Sequence, residues 1–421
     1  MNYNKIVQGI LDIGEAMLQS GAENFRLEDS FYRMCRSYGF KRSDVFVIPS
    51  NIQVTVETPE GEIITQIRHI ESSEPNFDQL DYLNNLCRYV CQHTPDENEM
   101  REKYLEVINR EPQKRITRYA AGIMGGTGFA VFFGCNLRDA VIAFIVSVMI
   151  VAVGDWLAKR ESNLLVYNGI LAFISEVIII GALKMGIADH PDRIMIGIVM
   201  LLISGLSTTN GIRDLLQRDF ISGFINIMNS FLGAAGIAFG IGLAIILFHE
   251  GYSDHFILNH SVPIQLLSCT VACTGFALWF KIRGKQVWYN SIGAFFTWAI
   301  YVAVYAVKPS NFMATMIAAG FVGFYAFIMS RVNKAPSTIF LTASVFPLIP
   351  GPNLYYVMYG CVSQDLQMVF EETIILLATC LAIAFGFIIV DVASRSIMHA
   401  MKREYHIGKS ALNLPLIGGK K

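Results

Sequence analysis

Residues 138–157 read RDAVIAFIVSVMIVAVGDWL. Between Asp139 and Asp155 no residue carries a charge. A helix of this length rises about 30 Å, the thickness of a bilayer's hydrocarbon core. Further apolar stretches of spanning length lie at 117–135, 164–186, 193–210 and 221–248. A second set follows at 263–281, 288–307, 311–330, 337–360 and 372–394. The sequence therefore predicts ten membrane spans, five in each of two halves, 113–250 and 262–395, with a tail at 396–421. Composition agrees: 53% of residues are hydrophobic and 16% charged, with mean hydropathy +0.44. Soluble domains carry roughly 25% charged residues.

Residues 1–112 are of another kind. They hold an acidic excess (net −8), whereas 113–421 carry net +7. Two amphipathic helices, 4–20 and 22–38, place Ile6, Ile10, Ile13 and Met17 on one stripe. Strand signals follow at 45–48, 52–56 and 63–67, with Pro59-Glu60-Gly61 as a turn, then helices at 76–92 and 97–110. The expectation is a soluble α+β domain on the cytosolic side. Met1–Leu18 places Asp12 and Glu15 where a signal peptide has its apolar core, so no secretory signal is expected.

Basic residues set the expected orientation. With residue 113 inside, the internal loops and tail hold 18 Lys/Arg. The opposite loops hold Arg138, Lys184, Arg193 and Lys308. The positive-inside rule then puts both termini in the cytoplasm of a cell (inner) membrane, the lipid bilayer being an obligatory partner. No basic patch points to nucleic acid. The eight cysteines contain no C-x-x-C; Cys87/Cys91 and Cys269/Cys273 read as packing residues on helix faces. His249, His255 and His260 in the central loop read as solvated side chains. Neither a cofactor nor a metal is expected, and the chain shows no nucleophile–base spacing or phosphate loop of an enzyme. A homo-oligomer is left open.

Shifting the numbering by 146 overlays the two halves: Ile203-Ser204-Gly205 falls on Ile349-Pro350-Gly351, and Asp219 on Asp365. Because five spans is an odd number, the second copy enters from the other face, giving a 5+5 inverted repeat. Such repeats build secondary transporters, whose sites lie where helices are interrupted near mid-membrane. Expected breaks are Ser204-Gly205 and Ser207–Gly211 in the fourth span, and Pro347, Pro350-Gly351-Pro352 and Asn353 in the ninth. Exposed N–H groups there suit a carboxylate.

Three islands carry a family resemblance. Asn210-Gly-Ile-Arg-Asp-Leu-Leu-Gln-Arg-Asp-Phe-Ile-Ser-Gly223 resembles the N-x-I-R-D-L…D-x-x-S-G signature of the threonine/serine exporter family. Leu18-Gln-Ser-Gly-Ala-Glu-Asn-Phe-Arg-Leu-Glu28 is similar to its S-G-A-x-x-x-R-x-E helix pair, and Phe346-Pro-Leu-Ile-Pro-Gly-Pro-Asn-Leu-Tyr355 to its P-L-x-P-G-x-x-x-Y stretch. The resemblance implies ten spans, a cytosolic N-terminal domain and export driven by the proton motive force. Two-chain relatives are associated with dicarboxylate (succinate) export. Arg218 departs from the pattern, standing where the family often has Gly.

Candidate substrate residues are Thr208, Thr209, Asn210, Arg213 and Asp214 after the first break, and Pro350, Gly351 and Asn353 at the second. Arg213 is suited to fork onto a carboxylate, or else to fix a loop with Asp214. Gly205 and Gly351 mark the helix breaks. Glu176, alone within the third span, is a costly intramembrane carboxyl and the first candidate for proton coupling, or else a protonated or hydrogen-bonded side chain holding helices together. Asp155, near a cytoplasmic span end, reads first as an interfacial anchor and is the second candidate. Asp219 reads as an N-cap. The expected activity is proton-coupled export of threonine, serine or a similar small amino acid. Succinate export on the same scaffold is the alternative, and a membrane sensor or enzyme worked by the soluble domain a weaker one.

Overall fold

A computed structural model describes residues 2–70, 74–203, 205–216, 218–248 and 261–412; of these, the side chains of 205, 206, 208, 209, 213, 395 and 397–412 are outside the description. Ser204 and the loop histidines His249, His255 and His260 thus lie outside the described residues.

The N-terminal unit comprises α1 (Tyr3–Gln19), α2 (Asn24–Ser37), β1 (Arg42–Ile48), β2 (Asn51–Glu57), β3 (Ile63–His69), α3 (Phe77–His93) and α4 (Glu97–Ile108). The strands form one antiparallel sheet in the order β1-β2-β3, with Ile48 opposite Asn51 and Glu57 opposite Ile63. Period-two alternation does the sorting: Ile52, Val54 and Val56 are buried against the helices, while Gln53 and Thr55 face away. Ile6, Ile10, Ile13 and Met17 meet Phe31 and Leu83 in the core. Asn2, Asn76 and Asp96 cap α1, α3 and α4 through their side chains.

The remaining chain is helical: α5 (Arg115–Phe132), α6 (Leu137–Leu157), α7 (Leu164–Lys184), α8 (Pro191–Leu202), α9 (Gly205–Leu216) and α10 (Phe220–Phe248). Then come α11 (Val262–Trp279), α12 (Lys285–Val307), α13 (Asn311–Asn333), α14 (Ser337–Val345), a 3₁₀ turn at Phe346–Leu348, α15 (Gly351–Ser363) and α16 (Leu366–Leu412). Among the described residues, seven helices are long and apolar enough to cross a membrane: α6, α7, α10, α11, α12, α13 and α16. The chain is thus a mostly helical, polytopic membrane protein. The other three expected spans correspond to the glycine-rich α5 and to two interrupted segments, α8/α9 and α14/α15. α16 also runs through 396–412, expected to be tail.

The interruptions are shorter than expected. At the first, Ile203 takes an extended backbone (φ −79°, ψ 131°). Residues 207–211, expected to break the span, continue as helix in α9. Asn353 is likewise helical, inside α15. The reason is that a backbone out of reach of water must pair its N–H and C=O groups internally, and polar side chains are tolerated on a helix that does so. The second break puts Ile349, 146 residues on, in almost the same conformation (φ −67°, ψ 128°).

The same offset recurs downstream. Arg218 (φ 72°) and Gln364 (φ 60°) both adopt the left-handed conformation, which explains why glycine suits position 218. Asp219 N–H donates to the Asp214 carbonyl at 2.9 Å, and Asp365 N–H to the Gly360 carbonyl at 2.9 Å. Asp219 then caps α10 by accepting from Ser222 N–H (3.3 Å), as Asp365 caps α16 by accepting from Met368 N–H (3.0 Å). Gly240 lies directly against the Gly169 carbonyl of α7, as Gly386 lies against the Met316 carbonyl of α13. Packing pairs follow suit: α7 with α10 and α13 with α16, α15 against α10 and α9 against α16, with α5 and α11 crossing at the centre.

The N-terminal unit shares one apolar core with the ends of α11 and α14, including Ala277, Ile282, Ile339 and Phe340. Phe77 N–H donates to the Phe280 carbonyl (3.0 Å), and Gln286 Nε2 to Asp81 Oδ2 (2.9 Å). Burial in this junction raises the Asp81 carboxyl above its ordinary value, and the Gln286 bond opposes that.

Candidate functional site

Each helix interruption faces a cavity. The larger, about 970 Å³, is lined by Leu348, Ile349, Pro350, Pro352 and Asn353 of the second break. Two prolines bracket Gly351, fixing φ where the chain must restart as helix. Asn353 Nδ2 donates to Glu372 Oε2 at 2.7 Å, joining α15 to α16. Asp365, Glu371 and Glu372 all border this cavity, and among its described lining residues there is no Lys, Arg or His. Its other wall is aromatic and amide: Trp298 Nε1 donates to Gln265 Oε1 at 3.1 Å, and Trp298 stacks on Tyr301 at 4.6 Å.

The smaller cavity, about 350 Å³, lies at the first break, lined by Ile203, Ser207, Asn210 and Asp214. Asn226 Nδ2 donates to Asp214 Oδ2 at 3.1 Å. Gly21, Ala22, Pro49, Pro75 and Phe77 of the N-terminal unit roof it. Phe276 and Phe346, ring centroids 4.0 Å apart, border this cavity, and Phe132 and Phe133 border the other. Phe129 touches all four rings, with centroids 5.5–6.4 Å away. An aromatic cluster thus stands between the two spaces.

The residues singled out from the sequence are divided between the cavities. Asn210 and Asp214 line the smaller, Pro350 and Asn353 the larger. Thr208, Thr209 and Arg213 belong to α9, their side chains outside the described residues. Gly205 opens α9; Gly351 opens α15 and packs on Met200 of α8, so the two interrupted segments touch. Glu176 is fully buried on α7, and neither carboxyl oxygen has a hydrogen-bond partner among the described residues. Asp155 instead pairs with Arg118 of α5 at 2.8 Å.

From the sequence Glu371 and Glu372 read as carboxylates at the start of the tenth span, with a transport role the lesser reading. Their grouping with Asp365 round one cavity was not foreseen, nor was the Gln265–Trp298 pair, whose members lie 33 residues apart with no local signature. Sequence reading also missed Asp139. That side chain is fully buried and accepts from Asp189 N–H (2.8 Å), His190 N–H (3.1 Å) and His190 Nδ1 (2.9 Å), tying α6 to the start of α8. The signal was present as a capping box, Asn136-x-x-Asp139.

Two family models match the chain. The "Putative threonine/serine exporter" model covers residues 8–248, and "Threonine/Serine exporter, ThrE" covers 265–393. The chain is 23% identical over 400 residues to the "Threonine/serine exporter" of Corynebacterium glutamicum, spanning 91% of this chain and 81% of that protein. It is 21% identical over 413 residues to the "Probable threonine/serine exporter" of Mycobacterium tuberculosis, spanning 92% and 76%. No solved structure matches it. With both halves of the chain matched in order, this protein belongs to the threonine/serine exporter family, whose members are transporters.

Proposed function

We propose that the chain exports threonine, serine or a similar small amino acid by proton antiport, through two five-span halves of opposite membrane sense. The carrying observation is the pair of interruptions at Ile203 and Ile349, alike in backbone and each opening on its own cavity. Alternating exposure of a site between such segments is the working principle of inverted-repeat transporters. With both termini cytoplasmic, the smaller cavity faces the cytosol beneath the N-terminal domain (1–112), and the larger faces outward. Substrate enters near Thr208, Thr209, Asn210, Arg213 and Asp214 and leaves past Pro350, Gly351 and Asn353.

The lining chemistry favours an amino acid over a dicarboxylate. Asp365, Glu371 and Glu372 offer partners for an ammonium group, while a succinate dianion would meet like charge with no described cation to balance it. Glu176 carries the coupled proton in this scheme: without a donor on either oxygen, nothing described compensates its charge. Asp155, already paired with Arg118, is the second station.

Flux of labelled threonine, serine and succinate in proteoliposomes, with and without an imposed pH gradient, tests the reading. Threonine or serine should respond to the gradient and succinate should not. Glu176→Gln should keep downhill exchange and lose gradient-driven accumulation. Transport of succinate alone, or full pH-driven flux in Glu176→Gln, defeats the respective claim.

A further inference from the structure

A third space, about 840 Å³, lies outside both cavities of the transport path, between the N-terminal unit and the α13/α16 pair. Its wall changes character along its length. Arg26, Arg33 and Arg88 come from α2 and α3, and Arg331 and Lys334 from the end of α13. Deeper along the same two membrane helices the wall is Gly323, Phe327, Phe387 and Val390. Gly323 lies about two to three helical turns from Arg331, or roughly 12 Å along the axis, within the span. The acidic residues on the wall are Glu23, Asp29 and Asp391; Arg26 takes up Glu23 (3.2 Å) and Arg33 takes up Asp29 (2.8 Å). Arg88 and Lys334 form no ion pair among the described residues, and the buried Asn84 Nδ2 on this wall has no acceptor.

We infer that this groove holds an anionic phospholipid from the leaflet facing the N-terminal unit. The gradation decides it. A phosphodiester headgroup needs cations and N–H donors, which Arg88 and Asn84 of α3 and Lys334 at the end of α13 present. Acyl chains need an apolar wall at bilayer depth, which Phe327, Phe387 and Val390 present. A free phosphate compound would use only the first half of the groove. The bound lipid touches α2 and α3 on one side and α13 and α16 on the other, so it cements the junction between the unit and the second membrane half. The inference does not depend on what the transporter carries.

Native mass spectrometry of the full chain tests it, with phosphatidylglycerol, phosphatidylcholine or glycerol phosphate supplied to the detergent-solubilised protein. Phosphatidylglycerol should be retained and the other two not. Each basic residue at such a surface contributes roughly fivefold, so Arg88→Gln/Lys334→Gln should weaken phosphatidylglycerol binding about 25-fold. The melting temperature without anionic lipid should stay unchanged. Should the double variant melt early, the two single variants, at about fivefold each, give the same reading. Equal retention of phosphatidylcholine, glycerol phosphate binding as tightly as the lipid, or unaltered affinity in the variants overturns the inference.

Discussion

Gly351→Ala is the sharpest perturbation the two interrupted helices allow. The backbone at Gly351 is not left-handed, so alanine is conformationally acceptable there. Space is the obstacle: a Cβ would collide with Met200 Sδ, with Met200 Cγ at 3.4 Å and Cε at 3.7 Å. Met200 is 2% exposed, three residues before the first break. Thioether side chains yield more readily than backbone, so the overpacking should cost about 1–3 kcal/mol. Met200→Ala alone opens a cavity and should cost about 2–5 kcal/mol. Because the two groups compete for one volume, the double variant should be less damaged than the sum, with a coupling of about 1–2 kcal/mol. Gly181→Ala, where a Cβ meets nothing within 4 Å, is the control; it should be neutral or slightly stabilising. Melting temperature in detergent reads the stability arm and threonine flux in proteoliposomes the functional one. Gly351→Ala should slow flux by more than its stability loss explains, and Met200→Ala should restore part of it. Strict additivity of the single variants, or a wild-type flux in Gly351→Ala, refutes the claim that this contact joins the two interrupted segments.

Gly275→Ala should be far harsher, because its Cβ would sit 2.5 Å from the Gly125 nitrogen and 2.8 Å from the Ala121 carbonyl of α5. Backbone cannot step aside, so α5 and α11 must separate at a cost of about 3 kcal/mol or more, seen as a large fall in melting temperature. Asp139→Ala strips the acceptor from Asp189 N–H, His190 N–H and His190 Nδ1. At about 1–3 kcal/mol for each buried orphan, it should lower the melting temperature clearly, and Asp139→Asn should do so less. Arg218→Gly relieves a left-handed residue, worth about 1–2 kcal/mol, against about 0.5–1 kcal/mol of glycine backbone entropy. A melting temperature equal to or slightly above wild type is expected, and a clear fall would contradict it.

How legible each feature was follows from the range of the physics behind it. The strands of the N-terminal unit were readable because alternation and the Pro59-Glu60-Gly61 turn are local signals. The long helices were readable because length and apolarity are set by the bilayer alone. Glu176 stood out because a carboxyl inside an apolar run is costly to bury, whether it moves a proton or holds helices together. The breaks were only half readable. Gly205 and the prolines flanking Gly351 mark the breaks at Ile203 and Ile349, but Ser207–Gly211 looked like loop chemistry and is helix, since polar composition argues for a turn only where water can satisfy the backbone. Docking of the N-terminal unit was invisible. Gln286 and Asp81 lie 205 residues apart, and neither residue's neighbours announce a partner. The acidic rim of the larger cavity was visible as residues but not as a cavity, because Glu372 faces Asn353 only once α15 has folded back on α16.

The position of α11 links the N-terminal unit to the aromatic cluster between the cavities. Phe276, near the end of α11, stacks on Phe346 within the aromatic cluster. The next residue, Ala277, and Ile282 just beyond the helix belong to the apolar core shared with the unit, while the Phe280 carbonyl accepts from Phe77 N–H. The ion pairs around this junction, Lys281–Glu74 at 3.1 Å and Arg283–Asp78 at 3.7 Å, involve partly exposed side chains. Such pairs are worth about 0–1 kcal/mol each and weaken with salt. What holds the unit in place is therefore buried apolar surface at the end of the same helix that positions Phe276. A displacement of the unit cannot leave that end of α11 untouched, and the ring one residue away is part of what separates the two cavities. Roof and barrier are in this way mechanically joined through one end of α11.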